Sequence, residues 1–548
     1  MNHSLLLPVL IPLFAAASMV ALPVRARRLQ HAIHVVATLA LLPVAAALWQ
    51  RAASGAIAVY ALGHWPAPFG IVLQLDRLGA LMLMLTAVLA CCCMIATTTA
   101  ETLRGRHFRP LFQFQLMGLN GAFVAGDLFN LFVFFELLLI ASYALLLHGG
   151  DRLRVRNGLH YLVLNLAGSS FFLIALGVLY GVTGTLNMAD AGERIAELTA
   201  NGADTLPLAS FAGAMLMLVF GLKAALFPMS FWLPQAYRSA IGPVAALFAI
   251  MTKVGVYAML RCDALVFGGA NGLLGGFMHD WAWWLAIATI VFGALGALAV
   301  QSLKATTGYV VLVSIGLLIA AVSMQSVAAW SALLYYLVST TLCTAALFVL
   351  ADVLETQPQT PEAADELGPR RAAGLFAPSV ATALATSPAR AASVATVTSR
   401  ALAEPPSRAA SLLFLFAAIG AVGLPPLSGF LGKAMVFAAT PLARAVVLWP
   451  VVLAAGLVLI VALSRTGTRI LWAIPASYAY APPPDDAPVA SPEPNRANRG
   501  KLAACALLLG CVVAVTIAAG PLKRYLDATA TQLADRAAYV DAVLHARR

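Results

Sequence analysis

The chain has 548 residues, 61% of them hydrophobic and only 10% charged, with a mean hydropathy of +0.88. A soluble protein carries roughly a quarter charged residues, so the composition excludes the soluble globular class and indicates a polytopic membrane protein. The net charge of +11 lies in short loops between apolar runs, which is how a membrane protein is oriented, and so it does not point to nucleic acid.

A membrane span needs about 20 apolar residues. In chain order, fourteen candidates are expected over residues 3–24, 31–49, 71–99, 110–126, 128–147, 159–180, 207–235, 241–262, 281–302, 307–326, 328–352, 410–440, 446–464 and 501–521. The first run is as long as a full span and lacks a small-residue cleavage site, so a retained helix is expected, not a cleaved signal. Loops after odd-numbered spans hold Arg25, Arg27, Arg28, Arg104, Arg106, Arg109, Arg152, Arg154, Arg156, Arg238, Lys304, Arg465 and Arg469. Loops after even-numbered spans hold little: Arg51, Arg194, Arg261 and Arg444. The positive-inside rule makes the first set cytoplasmic and both termini external.

These spans divide the chain. Residues 1–109 hold spans 1–3, residues 110–265 a first group of five, residues 281–352 spans 9–11, and residues 410–475 spans 12 and 13. Residues 353–409 are rich in Ala, Pro, Ser, Thr and Arg and read as a cytoplasmic linker; the Pro-rich residues 476–500 read as an extended loop. Residues 501–548 carry span 14 and an external tail, amphipathic from Pro521 and suited to a surface or a partner. The seven cysteines form no Cys-x-x-Cys or Cys/His cluster, so no metal, haem or other cofactor is expected. Cys91, Cys92 and Cys93 read as small packing residues.

Of the 34 basic residues only six are lysine: Lys223, Lys253, Lys304, Lys433, Lys501 and Lys523. The arginines sit nearly all in loops, whereas Lys223, Lys253 and Lys433 fall inside apolar spans. Arginine keeps its proton; a buried lysine can release one. A charge at the bilayer centre costs at least about 2.5 kcal/mol, so three such residues need a reason. Glu136 is a fourth, about 13 Å further along its helix than Asp127. A buried carboxylate and a buried ammonium are cheapest when paired, which couples Glu136 with Lys223; a static ion pair between helices is the competing reading. Lys253 has no acidic residue in its own span. Lys304, at a span edge, reads equally as part of a proton path and as a snorkelling anchor. Lys501 and Lys523 read as interfacial anchors, and Asp76 is expected to pair near Arg77.

Pro228 and Pro234 interrupt span 7, and Gly420, Gly423, Pro425, Pro426 and Gly429 interrupt span 12. Each break frees backbone groups that must face protein or water. Lys223 lies just before one break and Lys433 just after the other. Two broken helices five spans apart, each with a lysine, are the pattern of a transporter built from two inverted five-helix repeats. Ordinary proline kinks are the plainer alternative.

The stretches GDLFNLFVFFELLLIASYALL, TGTLNMADAGERI, FGLKAALFPMSFWLPQAYRSA, ALFAIMTKVGVYAMLR and GLPPLSGFLGKAMVF lie between about residues 70 and 440. Together they resemble the D subunit of Mrp-type (Pha, Mnh) multisubunit monovalent cation/proton antiporters. That family is similar to the antiporter-like membrane subunits of respiratory complex I. The resemblance implies an all-α polytopic fold of about fourteen transmembrane helices with discontinuous helices 7 and 12, in a bacterial inner membrane. It also implies a proton pathway through Glu136, Lys223, Lys253 and Lys433, within a hetero-oligomeric complex handling H⁺ and Na⁺ or K⁺. The chain departs from many relatives in span 11, where Ser339, Thr340 and Thr344 stand in the region of a usual histidine.

Three functions follow. The first is a proton-translocating antiporter subunit, not a bond-making enzyme. The second is a proton-pumping membrane subunit of a complex I-like oxidoreductase. The third is a non-transporting scaffold, which the four buried ionisable residues disfavour. No compact carboxylate cage for the cation is visible.

Overall fold

The computed structural model describes residues 3–545 apart from 24, 66, 67, 69, 99, 100, 103, 104, 106, 151, 269–271, 356–406 and 472–493. Its elements are α1 (Leu7–Ala21), α2 (Arg27–Ala53), β1 (Ala58–Ala61), β2 (Val72–Leu75), α3 (Arg77–Ala96), α4 (Phe108–Val124), α5 (Leu128–Leu146), α6 (Arg152–Thr183) and α7 (Met188–Ala200). Then follow α8 (Leu206–Ala224), α9 (Trp232–Ser239), α10 (Gly242–Leu265), α11 (Phe277–Ala299), α12 (Leu303–Val322) and α13 (Val327–Leu354). The chain ends with α14 (Arg408–Val422), α15 (Ser428–Ala439), α16 (Leu442–Leu471), α17 (Pro494–Ile517), α18 (Ala519–Ala534) and α19 (Arg536–Val540).

In hydrocarbon a backbone has only itself to bond with, so the Leu-, Ala- and Val-rich runs close into helices. Among the described residues twelve helices are long and apolar enough to cross a membrane. The expected fourth and twelfth spans fall on shorter helices, the 17-residue α4 and the α14–α15 pair. Several starts are capped by side chains that take up otherwise orphaned N–H groups: Asp76 for α3, Asp127 for α5, Ser302 for α12 and Ser326 for α13.

Helix α10 forms the axis of the bundle. Every residue from Gly242 to Leu265 is buried. It packs against α3, α8, α12 and α13, and α13 in turn packs against α14, α15 and α17. The outer helices keep apolar faces exposed; on α16 Leu442, Val446, Trp449, Leu453 and Leu457 form one such stripe.

Two features go beyond the run of spanning helices. Strands β1 and β2 pair antiparallel, Ala58 opposite Leu75, as four-residue strands too short to show a pattern. The tail beyond α17 does not stand off the molecule: α18 and α19 fold back across one end of the bundle. Tyr525 stacks on Trp49 with ring centroids 4.1 Å apart, and Ser331 donates to Asp527 at 2.6 Å. The Arg77 backbone N–H donates to Gln532 at 3.0 Å, and Arg536 donates to the Gly192 carbonyl. Most of residues 353–409 and 476–500 lie outside the described residues. Residues 494–500 are helical, as the start of α17, not extended loop.

Candidate functional site

Glu136 on α5, Ser169 on α6 and Lys223 on α8 meet inside the first group of spans. The Lys223 ammonium donates to Ser169 Oγ at 2.9 Å, and the Ser169 hydroxyl donates to Glu136 Oε1. Lys223 Nζ and Glu136 Oε1 are 3.7 Å apart, the lysine side chain 3% exposed and the glutamate 25%. The ammonium also lies 5.9 Å from the centroid of the Phe135 ring. The expected couple therefore exists, but with a hydroxyl between its charges. Sequence reading missed Ser169; its only signal was a polar Ser-Ser pair inside an apolar span.

Lys223 occupies the last turn of α8, where a cation favours the carbonyl end of the helix. The helix stops at Ala225, which takes a left-handed φ of 63°. Beyond it Pro228 has no N–H to continue the ladder, and α9 restarts at Trp232. The groups freed by the break are met by protein: Phe227 N–H donates to Thr289 Oγ1 at 2.9 Å, and Trp232 Nε1 donates to the Leu222 carbonyl at 3.3 Å.

Lys253 is fully buried on α10, and its Nζ has no hydrogen-bond partner among the described residues. Among the described residues no hydrogen bond offsets the desolvation of an ammonium there. Close approach of α8 is permitted two residues on, at Gly255: a Cβ on it would lie 2.7 Å from the Ala224 backbone nitrogen. The end of the broken helix is thereby held against α10.

The second break is used differently. Helix α14 ends at Gly423, with φ 79°, and Lys433 reaches back from α15 to donate to the freed Val422 carbonyl. A Cβ on Gly423 would come within 2.9 Å of Lys433 Cδ. Ser428 at the start of α15 bonds Ser339 of α13, Oγ to Oγ, at 2.7 Å. Helices α8, α10, α13 and α15 pack in succession, so Lys223, Lys253, the α13 hydroxyls and Lys433 lie on adjacent elements.

Two further clusters of buried charge stand at the two ends of α10. At its start Asp352 accepts from the Gly242 N–H at 2.6 Å, pairs with Lys304, and pairs with Lys501 at 3.2 Å; Lys501 also pairs with Glu101 at 2.6 Å. Lys501 is thus a buried, doubly paired cation, not an interfacial anchor, because Glu101, between α3 and α4, and Asp352 of α13 converge on it. Lys523 pairs with Asp527 at 2.6 Å on the exposed tail. At the far end of α10, Asp76 pairs with Arg261 and not near Arg77. Arg261 Nη2 donates to both carboxylate oxygens, at 2.8 and 2.6 Å. Arg77 instead donates to the Ala53 carbonyl at 2.8 Å and lies over Tyr525. Arg261 belongs to the helix interior, not to a loop.

A family model described as NADH:quinone oxidoreductase/Mrp antiporter, TM, matches residues 125–367. The D subunit of a probable K(+)/H(+) antiporter from Rhizobium meliloti (strain 1021) is 38% identical over 575 residues, 100% of this chain and 98% of the relative. The D subunit of an Na(+)/H(+) antiporter from Bacillus subtilis (strain 168) is 36% identical over 357 residues, 65% of this chain and 70% of the relative. In fold the chain is similar to one in the Mrp complex of Dietzia sp. DQ12-45-1b, with a TM-score of 0.79 at 23% identity over 99% of this chain and 100% of that one.

Proposed function

This chain belongs to the D-subunit family of multisubunit monovalent cation/proton antiporters, and on that footing we propose that it is the proton-translocating subunit of such a complex. It acts as a transporter component with other subunits, exchanging H⁺ against Na⁺ or K⁺ in a bacterial inner membrane, with both termini external. The two relatives are named for different cations, so both ions belong in any test.

The observation that carries this reading is Lys253. A lysine with no protein partner among the described residues, on a helix buried from end to end, has a fixed position but no fixed countercharge. On one side stands Lys223, whose bond to Ser169 keeps it close to Glu136 without locking the two charges together. On the other stand the α13 hydroxyls and Lys433. A proton held at Lys223 is released toward Lys253 when Glu136 no longer holds the ammonium. From Lys253 it passes by way of hydroxyls and water to Lys433, which parks its ammonium on the Val422 carbonyl. Lys304 is held by Asp352 and joins this path only when that pair opens. Pro228, Pro425 and Pro426 act by keeping the two helices broken beside the lysines.

The matched family model also covers quinone oxidoreductase subunits, which favours a second reading as a proton pump driven by electron transfer. One experiment addresses both. Proton flux is followed in inside-out vesicles carrying the whole native complex, on addition of Na⁺ or K⁺ without an electron donor, with Lys253→Ala beside wild type. Cation-evoked flux in the wild type that is lost in the assembled variant supports the antiporter reading. Flux that survives the substitution removes Lys253 from the path.

A further inference from the structure

Lys253, Tyr257 and Arg261 recur every four residues on α10, so they form one stripe that carries Arg261 about 12 Å along the helix from the lysine. All three are buried. The Arg261 guanidinium lies 5.0 Å from the Tyr257 ring centroid, and the Tyr257 hydroxyl donates to the Phe123 carbonyl at 3.0 Å. Arg261 Nη2 occupies both oxygens of Asp76, while its Nε and Nη1 have no hydrogen-bond partner among the described residues. Tyr539 of α19, in the folded-back tail, is itself 1% exposed.

The choice of cation is informative. Among the described residues Arg261 is the one buried arginine, whereas the other buried cationic side chains, Lys223, Lys253, Lys433 and Lys501, are lysines. A buried ion pair is weak as a stability device, since apolar residues of similar volume serve as well. Arginine differs from lysine in one respect that matters here: it does not give up its proton. It also donates without accepting, so water next to it is oriented by donors and cannot pass a proton through it. Asp76 is engaged by Arg261 at both oxygens.

We propose that the Arg261–Asp76 pair is a proton-inert plug that closes the Asp76 end of α10, so that protons reach and leave Lys253 only sideways, through neighbouring helices. The proposal rests on the proton-relay reading of Lys253. Without the plug, the stripe running from Lys253 past Tyr257 becomes a short cut to that side of the membrane and the exchange loses its coupling.

The test is the passive decay of an imposed pH gradient in vesicles carrying the whole complex, without Na⁺ or K⁺. In Arg261→Lys the charge and the partner remain but the side chain can release its proton. Decay at least about tenfold faster than wild type is expected, the change given by a modest drop in the barrier. Assembly of each variant is checked by copurification of the other subunits. Adding Lys253→Ala to Arg261→Lys removes the leak. Arg261→Lys vesicles as tight as wild type, or a leak that persists without Lys253, overturn the plug. Lys253→Ala alone, with undiminished cation-driven flux, overturns the relay reading instead.

Discussion

Lys223 and Glu136 face each other across the Ser169 hydroxyl, their charged atoms 3.7 Å apart. A hydroxyl both accepts and donates, so it links an ammonium to a carboxylate while keeping them out of full contact. Ser169→Ala removes the link. The expected result is a severalfold drop in cation-evoked proton flux with normal assembly of the complex, and Ser169→Thr, which keeps the hydroxyl, restores most of it. Equal flux in all three proteins shows that the bridge has no part in transfer.

Gly423 allows α14 to end in a left-handed turn directly over the stem of Lys433. An L-residue in that conformation costs about 1 to 2 kcal/mol, and its Cβ would push the lysine off the Val422 carbonyl. Gly423→Ala should lower the melting temperature of the purified complex modestly and depress flux more than stability. A melting temperature unchanged from wild type would show that the turn tolerates a side chain.

Lys501 joins α17 to both Glu101 and Asp352. Removing one partner of a buried ion pair costs about 3 to 5 kcal/mol because the other charge is left uncompensated. Lys501→Met is therefore expected to destabilise the complex strongly, and Lys501→Met with Glu101→Leu much less. Thermal melting of the two variants compares them directly; the opposite ranking refutes the ion-pair account.

Asp527 fastens the tail to α13. Its partial burial raises the carboxyl, but bonds from Lys523 and Ser331 outweigh this and hold it below the usual carboxylate range. A lowered carboxyl stabilises the docked state above the unfolded pKa, about 3.9, and that stabilisation is lost as pH falls through the folded value. Proteolysis within α18 and α19 should accelerate below about pH 4, and Asp527→Asn should show the faster cleavage already at neutral pH. Cleavage that stays slow in Asp527→Asn rules out this fastening.

The class of protein, the course of its helices and the location of both breaks were legible in the sequence. Hydropathy and proline act locally, and a bilayer permits little besides helix. So were Glu136, Lys223, Lys253 and Lys433 as residues needing a reason, because a charge in an apolar run is conspicuous without any neighbour. Ser169 was not legible, since a lone serine costs little in a membrane helix and becomes notable only when α5, α6 and α8 bring two charges to it. Nor were the true partners of Asp76 and Lys501, which lie 185 residues away at Arg261 and 400 residues away at Glu101. Side-chain pairing across such separations depends on which helices pack side by side, and a hydropathy pattern does not record that. Tertiary packing alone left Lys253 without a hydrogen-bond partner among the described residues, brought Asp76 to the arginine two turns beyond it, and laid the tail across that end of the bundle.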